Sequence, residues 1–186
     1  MLSGHQRYGC PRYDRYMENC PPVVCEASDL LLSFVNSGSL DEWLRESGAT
    51  PAGAASDVAA ASELRTSLIV LLREHSGCSL DPAEVAAAES HLRQVAVRYP
   101  LVAVIGAETS SLVPAHDGAF GRFAQVLGAV TDLAYRGAWT RVKVCKNDNC
   151  HRGFFDKTRN TSALYCSPTC SSQASMRAYR NRRKVA

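Results

Sequence analysis

Apolar residues recur every three or four positions through most of the first 140 residues, which is the spacing of one face of an α-helix. Together with residues that typically begin or end helices, this pattern predicts five helices. They lie within 23–36, 41–46, 56–75, 82–99 and 119–139. In the first of them, Ser28-Asp29 is the expected N-cap of the apolar positions that follow.

Several helix ends carry specific signals. Gly77 is expected to stop the third helix and Gly137 the fifth, since glycine often closes a helix. Asp81 is expected to cap the fourth helix, with Pro82 in its first turn and Glu84 reaching back to the cap amide.

The period changes at 101–105, a short apolar run rich in β-branched residues, which predicts a strand. Residues 111–114 are expected to pair with it across a turn at 106–110. Two strands alone do not make a stable sheet, so this hairpin is expected to pack on the helices.

Four cysteines near the C-terminus form two close pairs, with fifteen residues between the pairs: Cys145, Cys150, Cys166 and Cys170. Such pairs are typical of a zinc site, in which four thiolates surround the ion in a tetrahedron. Four protein ligands leave no open position, so we expect one structural Zn²⁺ per chain rather than a catalytic one. Two alternatives stay open: His151 as a ligand in place of Cys150, and four thiols without metal.

The residues around the cysteines predict a knuckle, a hairpin and a helix. Residues 153–156 and 163–165 are predicted to be short strands around a polar turn at 158–162, and Ser167-Pro168 predicts a helix start directly after the third cysteine. The last 46 residues cannot bury enough surface to fold unaided. Structural zinc supplies roughly 10–16 kcal/mol in small modules of this kind.

The predicted C-terminal helix carries a basic stripe. Gln173, Arg177, Arg180 and Lys184 are spaced by four, three and four residues, so they share one side of the helix. Such a stripe attracts DNA phosphates, and Gln173 and Arg177 are candidates for contacts with adenine and guanine. The predicted nucleic-acid contacts are completed by Arg159, Arg182 and Arg183.

A solvated basic tail that only improves solubility is the alternative interpretation of this stripe. Met176 and Tyr179 lie beside it and are expected to pack on the hairpin of the same module.

The charge is distributed unevenly. Residues 141–186 contain eleven Lys and Arg against two acids, a net +9, whereas residues 1–140 contain ten against sixteen, a net −6. This asymmetry predicts a polyanion as the partner of the C-terminal segment. The chain has no apolar run long enough for a membrane span and no apolar core of a secretory signal at its N-terminus, so a cytoplasmic location is expected.

Three segments are predicted: an irregular arm at 1–22, a helical domain at 23–140 and a zinc module at 141–186. The arm and its border hold His5, Cys10, Cys20 and Cys25, whose spacing matches no common metal site, so ordinary thiols are favoured over a second site. Cys78 receives no role.

The C-terminal segment resembles the zinc finger of the bacterial CGNR proteins. The residues that carry the resemblance are Cys145, Cys150, Phe154-Phe155-Asp156, Arg159-Asn160, Tyr165-Cys166-Ser167, Cys170 and 178–183. In that family the finger follows a domain called ABATE, and the members are described as stress-induced transcription regulators. Residues 32–37, followed by Trp43-Leu44 and Gly48, are similar to the Phe-Val-Asn-Thr region of that domain.

Two positions depart from the family pattern. Tyr165 stands where members usually have Trp, and Cys170-Ser171-Ser172-Gln173 stands where the family name has Cys-Gly-Asn-Arg. Gln173 keeps hydrogen-bonding capacity but removes a cation from the start of the stripe.

The leading functional hypothesis is a DNA-binding transcription regulator with a helical sensor or interaction domain. The alternative is a zinc-stabilised module that docks on a protein of the transcription machinery without specific DNA binding. A homodimer is left open.

An enzyme is not expected. Asn36 with His75, His91 or His116 shows no nucleophile–base spacing, and Asn36 is expected to secure the end of its own helix.

Overall fold

The structure, a computed structural model, describes residues 22–46 and 55–185. Its helices are α1 (Pro22–Val35), α2 (Leu40–Glu46), α3 (Ala55–His75), α4 (Pro82–Arg98), α5 (Gly118–Tyr135) and α6 (Pro168–Val185). Its strands are β1 (Leu101–Ile105), β2 (Ser110–Pro114), β3 (Val142–Val144) and β4 (Gly153–Phe155), and a 3₁₀ turn, Trp139–Arg141, precedes β3. The predicted fold class, mainly α with a small hairpin and a C-terminal cysteine module, is confirmed.

The predicted arm lies outside the described residues except for Pro22, which begins α1. His5, Cys10 and Cys20 therefore lie outside them as well. None of the helices in the described ranges is long and apolar enough to cross a membrane.

The core of the body lies between α1, α3 and α5. Helix α1 packs along α5, and α3 packs along α4. Leu64, Leu68 and Leu72 repeat on one side of α3 and are all buried, as the pattern predicts. Trp43 of α2 covers Phe34 of α1, with 4.8 Å between the ring centroids. Full burial of each such side chain contributes roughly 1.5–3 kcal/mol.

The predicted end of α3 is confirmed. Gly77 has a left-handed φ of 64°, and its N–H donates to the Glu74 carbonyl at 2.9 Å. The N–H of Cys78 donates to the Arg73 carbonyl at 3.1 Å. These two bonds satisfy carbonyls that a helix otherwise leaves without partners at its C-terminus.

The predicted start of α4 is confirmed in part. Asp81 accepts a hydrogen bond from the Ala83 N–H at 2.9 Å, with proline in the first turn. Glu84, which was expected to reach back to the cap, has its carboxylate 3.5 Å from the Arg73 guanidinium of α3.

Two predicted boundaries are wrong. Helix α1 begins at Pro22, and Ser28-Asp29 lies inside it; the buried Ser28 hydroxyl donates to the Cys25 carbonyl at 3.0 Å. Proline suits the first position of a helix because no partner is needed there for its missing N–H. Helix α5 ends at Tyr135 rather than at 139, whereas the predicted stop at Gly137 is confirmed: its φ is 65°, and its N–H donates to the Ala134 carbonyl at 3.0 Å.

The first hairpin has the predicted strands. β1 and β2 are antiparallel, with Val102 opposite Val113 and Ala103 opposite Leu112. The hairpin lies on α5, where Leu101 reaches Gly128. Most of its other apolar side chains are exposed.

The second hairpin differs from the prediction. β4 pairs with β3, with Val142 opposite Phe155 and Val144 opposite Gly153, and 163–165 is not a strand. The reason is burial: Val142 and Val144 are 0% and 4% exposed and join the core cluster of the body. The hairpin is therefore packed on α3 rather than built wholly within the cysteine-rich segment.

Side chains at the end of α3 hold the outer edge of β3. The Ser76 hydroxyl accepts from the Val144 N–H at 2.8 Å. His75 Nδ1 lies 2.9 Å from the Val142 carbonyl oxygen, and its ring meets Trp139 edge to face. Burial lowers the pKa of His75, so the neutral ring donates Nδ1–H to that carbonyl.

Asn36 holds the outer edge of β4. Its Nδ2 donates to the Gly153 carbonyl at 2.9 Å, and its Oδ1 accepts from the Gly153 N–H at 2.8 Å. The side chain thus replaces a neighbouring strand, whereas the prediction assigned it to the end of its own helix. Only the backbone N–H of Asn36 serves that helix, by donating to Leu32.

Replacing Gly153 by Ala should weaken this contact. An added Cβ would lie 2.9 Å from Val35 Cγ2 and 3.3 Å from Leu32 Cδ2, so these side chains of α1 or β4 itself must shift. We expect a loss of about 1–3 kcal/mol in the free energy of unfolding, measured by urea denaturation. Gly38→Ala is the matched control, because its added Cβ meets no atom within 4 Å. Equal stability of the two variants would contradict the described contact.

Candidate metal centre and basic helix

The four predicted cysteines meet at one point. Their sulfur atoms all lie within 4.8 Å of one another, with 3.6 Å between Cys150 and Cys166 and 3.7 Å between Cys166 and Cys170. A tetrahedron of thiolates about 2.3 Å from zinc has edges of about 3.8 Å. The cluster therefore fits a single Zn²⁺, and its donor set is that of a structural site.

The first cysteine pair sits on a knuckle that extends the β3–β4 hairpin. Cys145 directly follows β3, and its N–H donates to the Arg152 carbonyl at 2.9 Å. The Cys150 N–H donates to the Asn147 carbonyl at 2.8 Å, which closes the turn between the two ligands. His151 is exposed with a φ of 51° and lies outside the cluster.

The second pair sits at the start of α6, as predicted. Cys166 directly precedes the helix, and Cys170 lies in its first turn. The Ser167 hydroxyl caps the helix by accepting from the Cys170 N–H at 3.2 Å. A helix N-terminus favours the negative charge of thiolates, so this placement suits the ligands.

The loop between β4 and Cys166 is organised around a buried ion pair. Lys143 Nζ lies 2.7 Å from Asp156 Oδ2, and the two side chains are 6% and 0% exposed. The same carboxylate accepts from the N–H groups of Thr158 and Ala163, at 2.9 and 2.8 Å. Burial alone would raise the pKa of Asp156, but the hydrogen bonds from Lys143 and Thr158 outweigh it and lower that pKa.

Sequence reasoning missed this pair. Lys143 lies between two apolar residues of β3, which favours an exposed side chain on an alternating strand. The available signal was Asp156 followed two residues later by Thr158, a spacing typical of a local side-chain turn.

Helix α6 is fastened to the knuckle by the first half of the predicted stripe. Asn147, which is 1% exposed, donates from Nδ2 to Gln173 Oε1 at 2.9 Å and accepts on Oδ1 from Arg177 at 3.1 Å. Arg177 also lies 2.7 Å from the Asp148 carboxylate. Gln173 and Arg177 therefore contact protein atoms beside the cysteines.

The thiols differ in proton affinity. Burial raises the pKa of Cys145, and burial together with a hydrogen bond to Cys150 raises the pKa of Cys166 to about 12. Hydrogen bonds from Asn147 and Ser167 lower the pKa of Cys170 to about 6. Zinc must displace the protons of the first two thiols, so its affinity falls as the pH falls.

Residues 141–183 match the family model of the CGNR zinc finger. The chain matches no curated protein. The match covers the knuckle, the β3–β4 hairpin, the ion-pair loop and most of α6, so the finger includes the strand that packs in the body core.

Gln173 accepts a hydrogen bond within the matched segment. The Nδ2 of Asn147 donates to Gln173 Oε1, while its Oδ1 accepts from Arg177. A glutamine supplies that acceptor and an arginine has none. The departure from Cys-Gly-Asn-Arg at this position therefore coincides with a hydrogen bond inside the finger.

The second half of α6 extends beyond the knuckle. Arg180, Arg182 and Arg183 are exposed, Lys184 lies on the same helix, and the Arg183 guanidinium lies 5.8 Å from the centre of the Tyr179 ring. Arg159 is exposed in the loop after β4.

The expected packing of Met176 and Tyr179 on the hairpin is wrong. These side chains are 56% and 53% exposed, so both remain accessible on the helix.

The residues considered for catalysis are separated. Asn36 and His75 hold the two edges of the β3–β4 hairpin. His91 Nδ1 lies 2.8 Å from the Ser67 hydroxyl between α3 and α4, and His116 is exposed before α5.

Replacing Cys166 by Ser should remove tight zinc binding, because an alcohol is a poor zinc ligand and three thiolates remain. Wild type should retain one zinc per chain after dialysis against a competing chelator. Cys78→Ser is the matched control, since Cys78 is half-buried outside the cluster and should keep the metal. Retention of one zinc by Cys166→Ser would contradict the assigned ligands.

Replacing Asp156 by Asn should destabilise the zinc-loaded protein by about 3–5 kcal/mol, because Lys143 stays buried without its counter-charge. The same change at Asp148, whose side chain is 79% exposed, should cost at most about 1 kcal/mol. Chemical denaturation monitored by circular dichroism measures both. Equal losses would contradict the described role of the buried pair.

Proposed function

We propose that the protein binds DNA through its zinc finger and regulates transcription in the bacterial cytoplasm. The observation that supports this most is the distal half of α6. Arg180, Arg182 and Arg183 are exposed there, and none forms an ion pair with another described residue. Arginines held on a helix without protein counter-ions are available to phosphates.

The net charge of the C-terminal segment supports the same partner. Residues 141–186 have a net charge of +9, and four thiolates on one Zn²⁺ reduce it to about +7. The preceding residues are net acidic. A polyanion is therefore attracted to the finger and repelled by the body, which orients the encounter.

The contacts divide the predicted stripe into two parts. Gln173 and Arg177 position α6 on the knuckle through Asn147 and Asp148. Because Gln173 Oε1 and the Arg177 guanidinium already bond to the knuckle, we assign both residues a positioning role. Phosphate contacts are assigned to the remaining predicted residues, Arg159, Arg180, Arg182, Arg183 and Lys184.

The helical body is proposed to be an ABATE-like sensor or interaction domain. Its contacts with the finger are direct, through Asn36, His75 and Ser76 and through buried Val142 and Val144. A change in the packing of α1 or α3 therefore reaches the base of the finger without a flexible linker.

A protein partner is the second candidate. Leu164 before α6, with Met176 and Tyr179 on it, leaves exposed apolar surface beside the arginines. A surface that is both apolar and cationic suits an acidic protein of the transcription machinery, docked without specific DNA contacts.

Replacing Arg180 and Arg183 together by Gln tests the proposal. If both contact phosphates, the slope of log affinity against log salt should flatten by about 1.8, at about 0.9 for each lost contact. Fluorescence anisotropy with labelled duplex DNA measures the slope. The control is Arg45→Gln with Arg93→Gln, an equal charge change at exposed sites on α2 and α4.

The control variant should bind DNA as wild type does. An unchanged slope in the finger variant would contradict the assigned contacts. Failure of zinc-loaded wild type to bind DNA, combined with recovery of one specific protein partner, would favour the second candidate.

A further inference from the structure

Most of the large apolar side chains that are exposed in the described residues lie on the β1–β2 hairpin or on the helices next to it in the chain. These are Val97, Val102, Val104, Ile105, Leu112, Val113 and Phe120. Ile105 is 84% exposed at the end of β1. Because side chains alternate along a strand, Val102, Val104 and Val113 share one face of the hairpin, and Ile105 and Leu112 share the other. Such exposed apolar surface is typical of an element that contacts a partner.

One edge of this hairpin is open. The N–H of Gly106 donates to Thr109, and that of Ala115 donates to Pro100, so the bonded pairs alternate and include Val102 with Val113. The backbone groups of the intervening residues of β1, Leu101, Ala103 and Ile105, therefore point away from β2. Within the described residues they have no hydrogen-bond partner.

The two edges of the hairpin are not equivalent. By the same alternation, the outer edge of β2 includes Pro114, which has no N–H to offer to another strand. The outer edge of β1 has no proline, charged residue or bulge, which are the usual protections of an exposed edge. A further strand would therefore add at β1.

We propose that β1 pairs antiparallel with β1 of a second copy of this chain, with Ala103 on the two-fold axis. In this register Ala103 faces its own copy, and Leu101 faces Ile105 of the other copy. All three outward residues then exchange backbone hydrogen bonds, and the two hairpins form one four-stranded sheet. Two isolated strands are marginal, whereas a sheet of four is stable in its own right.

The chemistry of the edge selects this partner. Glu108 is the only charged residue between Arg98 and Asp117, so a strongly charged strand or a nucleic acid finds no counter-charge there. A second β1 is uncharged, apolar and free of proline, and its unpaired edge has the same spacing of donors and acceptors. Ala103, at the axis, is small and uncharged, so it faces its own copy without charge repulsion.

The dimer does not depend on DNA binding, so its test is independent of the proposed function. Replacing Ala103 by Lys places two ammonium groups opposite each other across the axis, with Cα atoms about 5.5 Å apart. Like charges facing each other in a sheet are destabilising, so the dimer dissociation constant should rise by about tenfold or more. Sedimentation equilibrium of the zinc-loaded full chain measures it.

Opposite charges at position 103 of the two copies should restore the dimer. Ala103→Glu should weaken the dimer in the same way, and an equimolar mixture of the Lys and Glu variants should form a heterodimer, because this position faces only itself. Tyr135→Lys, at a side chain that is 88% exposed on α5, is the matched control and should remain dimeric. Circular dichroism should show the wild-type helical content in every variant.

The following results would each overturn the proposal. They are a monomeric wild type throughout the micromolar range, a dimer that Ala103→Lys leaves unchanged, and Lys and Glu variants that do not associate when mixed. A monomer whose β1 captures a strand of another protein would also overturn it, by assigning the edge to a different occupant.

Discussion

Four sulfur atoms must meet around one ion, and the path of the last forty residues or so depends on that requirement. Cys145 and Cys150 stand on a knuckle, whereas Cys166 and Cys170 belong to the start of α6. Zinc therefore joins the base of the finger to its basic helix. Asn147, which donates to Gln173, and the buried Asp156, which pairs with Lys143, hold the segments around these ligands in place.

The finger is also attached to the helical body. β3 contributes Val142 and Val144 to the main core, and the hairpin edges are closed by Asn36, His75 and Ser76. The direction of α6 thus follows from two successive attachments, first β3 to the helices and then α6 to the knuckle. The proposed regulation of DNA binding by the body acts through the first attachment.

Features with local causes were predictable from the sequence. Asp81 caps the helix that follows it, Gly77 closes the helix before it, and the spacing of the four cysteines defined the metal site. The cause of each lies within a few neighbouring residues or in one repeated residue type. The mainly helical class follows from the apolar period in the same way.

Features with distant causes were not predictable. Asn36 binds Gly153 across 117 positions, and no local pattern marks that pair. The wrong partner for β4 has the same origin, since the choice of β3 depends on burial against α3. The helical stripe that includes Arg177 was predicted, but the contact of Arg177 with Asp148 on the knuckle was not.

Amide hydrogen exchange of the zinc-loaded protein, before and after chelation, tests most directly whether zinc attaches α6 to a finger rooted in the body. The account predicts that residues 164–183 lose protection when the metal is removed, while the buried turns of α1 and α5 keep theirs. Protection of α6 that is the same with and without zinc would contradict it.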